Sequence, residues 1–182
     1  MEIDMSMIFE NSADSEIHEL DTVYRRYYKN VYNYIAFRIN NHHDTEELVS
    51  AVFEKHVRHR ERYNSEFPME GWLIGIAKNQ VTDYLRKKMR RNFVSLDCLI
   101  SLVSPNRQPE EIVVKHEGNR ALMAAMAKLK NQERQILSMK FATDLKHSEI
   151  AKILNITESN VGVITHRALK KLKGLMKEED GE

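Results

Sequence analysis

The stretch His147-Ser-Glu-Ile-Ala-Lys-Ile-Leu-Asn-Ile-Thr-Glu-Ser-Asn-Val161, continued by Gly162-Val-Ile-Thr-His-Arg-Ala-Leu-Lys-Lys-Leu-Lys173, decides the fold. It reads as a short helix, a tight turn and a longer basic helix, the geometry of a helix-turn-helix DNA reader. Ile150, Ala151 and Leu154 give the first helix one apolar face, and Ile156 fills the turn. Thr157 suits the N-cap of the second helix because its hydroxyl accepts an otherwise unpaired backbone N–H. Val161, Ile164, Ala168, Leu172 and Leu175 recur at helical spacing, so that face is expected to pack inward. Ser159, Gly162, Val163, His166, Arg167 and Lys170 fall on the opposite side, the side that would enter a major groove. An ordinary helical hairpin with a solvated charged face is the plainer alternative for this segment alone.

Composition supports helices throughout. Six Gly and three Pro in 182 residues, among many Leu, Ile, Lys, Glu, Arg and Met, suit an all-α protein better than a sheet. A single cysteine, Cys98, excludes a disulfide framework and a paired-thiol metal motif, and fits a reducing cytosol. The longest apolar runs, such as Leu73–Ala77 and Cys98–Val103, fall far short of the roughly 20 residues of a membrane span. The acidic start lacks the basic and apolar regions of a signal peptide. A cytoplasmic chain without membrane insertion is therefore expected.

A net charge of +1 conceals a strong division along the chain. Residues 1–23 carry seven acidic side chains and no Lys or Arg, whereas residues 54–91 carry ten basic against five acidic ones. Residues 157–177 hold five basic and one acidic side chain, before the acidic tail at 178–182. One charge run is commonly just a solvated face. Two basic islands on amphipathic helices point to two contacts with a polyanion.

Residues 92–109 contain Ser, Asn and two Pro without a sustained helical period, and read as a linker. Phe93, Val94, Leu96, Leu99, Ile100, Leu102 and Val103 make it too apolar for a free tether, and a partner's surface is the favoured cover. Before it, helices are expected from about Ser15 to Ile39, from Asp44 to about His59, and from just after Pro68 to about Arg91. The expected inner faces are Leu20, Val23, Tyr24, Tyr27, Val31, Tyr34, Ile35 and Arg38; then Leu48, Val52, Phe53 and His56 or Val57; then Trp72, Leu73, Ile76, Ala77, Gln80, Tyr84 and Leu85. Asp44 with Glu47 is expected to open the second helix as a capping box. After the linker, helices are expected near 110–129, 132–141, 146–154 and 157–177. The whole divides into an acidic extension (1–20), a first helical domain (21–91), the linker (92–109), a helix-turn-helix domain (110–177) and the tail (178–182).

The order of these pieces resembles a bacterial RNA polymerase sigma factor of the two-domain extracytoplasmic-function type. Asp44-Thr-Glu-Glu-Leu-Val49 followed by Phe53 looks like the second helix of that family's first domain. Trp72-Leu-Ile-Gly-Ile-Ala-Lys-Asn79, then Asp83-Tyr-Leu-Arg86 and a basic run, looks like its promoter-melting helix. Leu129, Asn131–Leu137, Glu149-Ile-Ala151 and Val161–Leu172 look like its second domain. The resemblance covers about residues 20–175.

The resemblance implies core RNA polymerase and promoter DNA as partners, an anti-sigma factor as a further candidate partner, and no cofactor or metal. It assigns polymerase binding to Asp44, Glu46, Glu47, Leu48, Val49 and Ser50. It assigns the minus-ten element to Arg62, Tyr63, Phe67, Lys78, Asn79, Asp83, Arg86 and Lys87. It assigns the minus-thirty-five element to Ser159, Asn160, Gly162, Val163, His166, Arg167 and Lys170. The residue types suit these tasks. Aromatic Tyr63 and Phe67 can stack on an unpaired base, worth roughly 1 to 3 kcal/mol each. Asn79 offers a donor and an acceptor to a base edge. Arg62, Lys78, Arg86, Lys87 and Lys88 can neutralise phosphates. Two departures stand out: Ser50 and Ala51 replace a Gln and an acidic residue, and Gly162 and Val163 replace basic or hydroxylated ones. Recognition would then lean on thymine methyls, His166, Arg167 and DNA shape.

Enzymatic patterns are missing from the sequence. There is no Gly-rich phosphate loop, nucleophile elbow or Cys/His zinc pairing, and His56 with His59 lacks further ligands. The reading is a non-enzymatic sigma factor that binds core polymerase and opens promoters. The alternative is a stand-alone helix-turn-helix regulator of duplex DNA, which has no use for an aromatic loop ahead of an Asn-bearing basic helix. A helical adaptor that binds protein alone would leave both basic islands unused.

Overall fold

A computed structural model describes residues 5–94 and 117–179. These form seven α-helices and one 3-10 turn, with no strand among the described residues: α1 (Met5–Ile39), α2 (His42–Arg58), the turn Arg60–Arg62, α3 (Met69–Val94), α4 (Glu117–Ala127), α5 (Asn131–Ala142), α6 (His147–Leu154) and α7 (Glu158–Glu179). The all-α architecture anticipated from composition is the one observed. The latter part of the expected linker and the acidic tail's last residues lie outside the described residues. Helix α1 begins at Met5, ahead of the expected start near Ser15. The reason is in the chain, since residues 1–39 contain neither Gly nor Pro and nothing in the acidic segment stops a helix.

Local chemistry sets each corner. Asn40 takes a left-handed conformation (φ 48) and ends α1. Its neighbour Asn41, not Asp44, caps α2: the Asn41 amide oxygen accepts from the Asp44 N–H at 2.9 Å. Pro68 precedes the first turn of α3 and its carbonyl accepts from Trp72 N–H. Glu133 and Glu149 each reach back to the backbone N–H three residues earlier and open α5 and α6. Asn155, left-handed at φ 53, closes α6. Ile156 N–H then bonds back to Ala151 O, a helix stop that an Asn tolerates better than a branched residue would. The expected cap Thr157 accepts from Asn160 N–H at 3.2 Å and starts α7.

One apolar core runs through both halves of the chain. Val31, Tyr34 and Ile35 of α1, Val49, Val52 and Phe53 of α2, and Leu73, Ile74, Ala77 and Val81 of α3 meet Ile136 and Met139 of α5, Leu145 just before α6, Ile150 and Ala151 of α6, and Val161 of α7. A second cluster joins Ala125, Met126 and Leu129 to Leu137, Ala168 and Leu172. The helix-turn-helix stripe is placed as expected, with Val161, Ala168 and Leu172 buried and Ile164 and Leu175 half-buried. Of the two inward candidates on α2, His56 takes the buried position and Val57 is exposed. Two other expectations need correction. Tyr24 lies largely outside, though its ring rests 4.8 Å from that of Phe53. Ile74 and Val81 belong to the buried face of α3, a face broader than the predicted stripe because α3 is covered on two sides, by α1 and α2 and by α6.

Candidate nucleic-acid interface

The first candidate surface begins at the loop between α2 and α3. The Tyr63 hydroxyl donates to Phe67 O at 2.8 Å, which closes the loop on itself. The Tyr63 ring lies 6.0 Å from that of Trp72, tilted by 54°. Phe67 sits on Gly71, and only a glycine permits this: a Cβ there would stand 2.5 Å from the Phe67 ring. Both aromatics are therefore half-buried and held by α3 rather than free in solvent. Trp72, expected in the core, is only partly covered, and its Nε1 has no hydrogen-bond partner among the described residues.

Two adjoining crevices follow. One, about 430 Å³, is lined by Phe67, Gly71, Trp72, Lys78 and Asn79, with Lys152 and Ile153 of α6 opposite. The other, about 210 Å³, is lined by Lys55, His59, Arg62, Trp72, Ile76 and Asn79. Asn79 belongs to both and is exposed. The structure thus brings Arg62, Phe67, Lys78 and Asn79 together around Trp72, and adds Lys55 and His59, which the sequence reading missed because they sit on the preceding helix. The signal was available: Lys55 lies three and four residues before Arg58 and His59, and Arg62 four and three after them. Asp83, Arg86 and Lys87 lie further along α3, exposed, with Asp83 and Arg86 in an ion pair at 3.8 Å. The Lys78 ammonium donates to Ile153 O at 3.3 Å.

The candidate polymerase face on α2 divides. Glu46, Glu47 and Ser50 are exposed and Leu48 is half-buried, but Val49 is 2% exposed and packs in the core. The Asp44 carboxylate accepts from the Tyr84 hydroxyl at 2.5 Å and pins α2 to α3. Burial, together with the bond to Asp44, pushes the Tyr84 phenol far above its ordinary value, so it stays a donor. On α7, Ser159, Asn160, Val163, His166, Arg167 and Lys170 are all exposed, and Gly162 is half-covered with His147 nearest. The exposed side of α7 thus carries two cations, an imidazole and a bare backbone patch.

The crevices beside α3 and the exposed side of α7 are the two candidate surfaces of one all-helical chain. Known proteins share this arrangement of sequence and fold. Sigma-70 region 2 matches residues 23–91 and Sigma-70, region 4 matches residues 119–172. The chain is 25% identical over 176 residues to the ECF RNA polymerase sigma factor BldN of Streptomyces coelicolor, covering 96% of this chain and 67% of that protein. It is 28% identical over 156 residues to the ECF RNA polymerase sigma factor SigM of Bacillus subtilis, covering 86% and 94%. In fold it is similar to the sigma factor RpoE of Bartonella quintana, solved with the anti-sigma factor NepR (TM-score 0.71, 18% identity, 90% and 97% covered). The chain belongs to the sigma-70 family and is a sigma factor of the extracytoplasmic-function type. Such a protein binds core RNA polymerase and directs promoter-specific initiation; the stand-alone regulator is not favoured. No described helix is long and apolar enough to cross a membrane.

Proposed function

We propose that the loop at 60–68 and the exposed side of α3 capture the displaced strand at the minus-ten element. The observation that carries this reading is the convergence of Arg62, Phe67, Lys78 and Asn79 on the crevices beside Trp72. A base leaving the duplex needs a stacking surface, an edge partner and cations for the adjoining phosphates, and these residues supply one of each. Lys55 and His59 extend the cationic wall. Arg86 and Lys87, further along α3, would follow the strand's backbone, with Asp83 orienting Arg86.

On α7, His166 and the Gly162–Val163 patch would meet base edges at the minus-thirty-five element, while Arg167 and Lys170 hold phosphates and Ser159 and Asn160 position the helix end. Glu46, Glu47, Leu48 and Ser50 form the face offered to the polymerase clamp; Asp44 and Val49 shape that face from behind. The working units are residues 21–91 and 110–177, joined by 92–109. The chain does no bond chemistry itself, acts in the cytoplasm beside the polymerase and needs no cofactor. Solved sigma factors of this fold carry anti-sigma factors, NepR and CnrY, and we propose a partner of that kind here.

Run-off transcription by core polymerase, with and without this chain, on a panel of promoters tests the assignment. Asn79→Ala and Tyr63→Ala should still bind polymerase but give fewer run-off products. Undiminished products from both would remove the loop and α3 from strand capture.

A further inference from the structure

The two crevices beside α3 differ in chemistry. The larger, about 430 Å³, has apolar walls of Phe67, Trp72, Ile76 and Ile153, with Gly71 and Gly75 baring the helix backbone between them. The smaller, about 210 Å³, is lined by Lys55, His59 and Arg62 and shares Trp72, Ile76 and Asn79 with its neighbour. Among the described residues neither is lined by Asp or Glu, whereas Lys55, Arg62, Lys78 and Lys152 bring four cations to the pair. The whole chain holds 28 Lys and Arg against 27 Asp and Glu. A concave surface with four of one sign and none of the other therefore concentrates a local field for an anion.

The larger crevice is shaped by its residues rather than left by loose packing. Phe67 is seated on Gly71, which holds its ring against α3. At Gly75, one turn further along, a Cβ would meet nothing within 4 Å, so the lack of a side chain there keeps the space open. Its volume falls within the range of about 300 to 1,000 Å³ typical of small-molecule sites. An apolar slot with one amide at its edge fits a flat heterocycle, and the adjoining cationic crevice fits a chain of phosphates. Asn79, common to both, presents a donor and an acceptor.

We infer that the paired crevices bind a free nucleoside polyphosphate, base in the larger and phosphates in the smaller, and that free nucleotide thereby competes with the displaced strand for α3. Four cations around one ligand call for several negative charges, which a carboxylate or a single phosphate does not carry. An inorganic polyphosphate would supply the charge but leave the apolar slot empty. Lys78 already donates to the Ile153 carbonyl, a neutral partner that uses one of its three donors and leaves the others for a phosphate. Lys152, on the opposite wall, is exposed. Only the competition rests on the strand-capture reading above; the nucleotide site stands on the crevices themselves.

Trp72 is the chain's only tryptophan and lines both crevices, so its fluorescence reads their occupancy. The full chain, without polymerase, would be titrated with ATP and with tripolyphosphate, each affinity checked by calorimetry. ATP should quench Trp72 saturably and bind about 5- to 150-fold more tightly than tripolyphosphate, the worth of stacking one base. Gly75→Leu fills the larger crevice from a position whose Cβ meets nothing, and should weaken ATP binding about tenfold or more. Its Tm should hold or rise, because Leu is preferred over Gly inside a helix. Arg62→Ala, at an exposed site, should weaken ATP binding about tenfold, the loss of one charged hydrogen bond. Absence of saturable quenching up to about 1 mM ATP would overturn the proposal. So would equal affinity for ATP and tripolyphosphate, which leaves no base slot, or ATP binding untouched by Gly75→Leu, which puts the nucleotide elsewhere. If Gly75→Leu fails to fold, Arg62→Ala and the ratio of ATP to tripolyphosphate affinity decide. Anisotropy of a labelled, mixed-sequence single strand separates the two readings. ATP that binds but leaves the strand in place refutes strand capture in these crevices and the competition, not the nucleotide site. A strand released by Gly75→Leu, with no ATP binding to the wild type, refutes the nucleotide site and not strand capture.

Discussion

Gly71→Ala offers a way to separate stability from strand opening. A Cβ at Gly71 would stand 2.5 Å from Phe67 Cε1 and 2.7 Å from Cζ. Carbon atoms rest at about 3.5 to 4.0 Å, so the Phe67 ring must retreat by about 1 Å or swing away. The backbone of α3 gains instead: Ala is preferred over Gly inside a helix by about 1 kcal/mol, which offsets the displaced contact. Net stability should therefore stay within about 1 kcal/mol, a shift of about 2 to 4 °C in Tm for a chain of this size. The functional effect points one way. If Phe67 provides a stacking surface worth about 1 to 3 kcal/mol, its displacement lowers the open-complex population by about 5- to 150-fold. Permanganate reactivity of unpaired thymines in the polymerase–promoter complex, beside calorimetric Tm, measures both. Full reactivity with a displaced ring would refute the role given to Phe67, and a large fall in Tm would show that the ring serves packing.

Other expectations are as direct. Tyr63→Phe removes the 2.8 Å bond to Phe67 O and should cost about 0.5 to 1.5 kcal/mol of loop order, while Tyr63→Ala also removes the ring and should reduce permanganate reactivity further; equal effects would place the loss in the hydrogen bond alone. Leu137→Ala, at a fully buried site shared by α5 and α7, should destabilise by about 2 to 5 kcal/mol in denaturant unfolding, and a loss under 1 kcal/mol would mean the second cluster collapses around the gap. Burial holds the His56 imidazole below its ordinary value of 6.5, with Glu19 opposing in part. The unfolded chain then binds the proton first, so stability should be intact above about pH 6.5 and decline as pH falls below it; His56→Leu should flatten that decline, and an unchanged slope would assign it to other groups. His166→Ala should change the ranking among minus-thirty-five variants in a library, by about 1 to 3 kcal/mol at one step, whereas Arg167→Ala and Lys170→Ala should lower all of them together. Uniform scaling by His166→Ala would take it out of base reading.

Periodicity made most of the helices legible, because Val161, Ala168 and Leu172 or Val52 and Phe53 are forced onto one side whatever surrounds them. Caps were less legible. Asn41 captures α2 because the preceding Asn40 turns the chain, and the competing Asp44 is drawn off by Tyr84, 40 residues away. The same long-range logic hid Val49: next to acidic neighbours it resembles a surface residue, and only the approach of α1 and α3 buries it. Lys55 and His59 were not legible as part of the crevice because they precede the loop in sequence and meet Trp72 and Asn79 only through the packing of α2 on α3. The seating of Phe67 on Gly71 could not be read from spacing, since it depends on how the loop folds back.

The core shared by α1 and α5 also has a consequence for synthesis. Arg38 of α1 donates to the backbone carbonyl of Asn131 of α5, 93 residues later in the chain. At about 5 to 20 residues per second, the ribosome delivers α5 roughly 5 to 20 seconds after α1 has been made. For that interval Val31, Tyr34 and Ile35 have only α2 and α3 for cover. The nascent first domain therefore leaves the tunnel with an unfinished apolar flank, the surface on which a chaperone, or a second newborn chain, would first take hold.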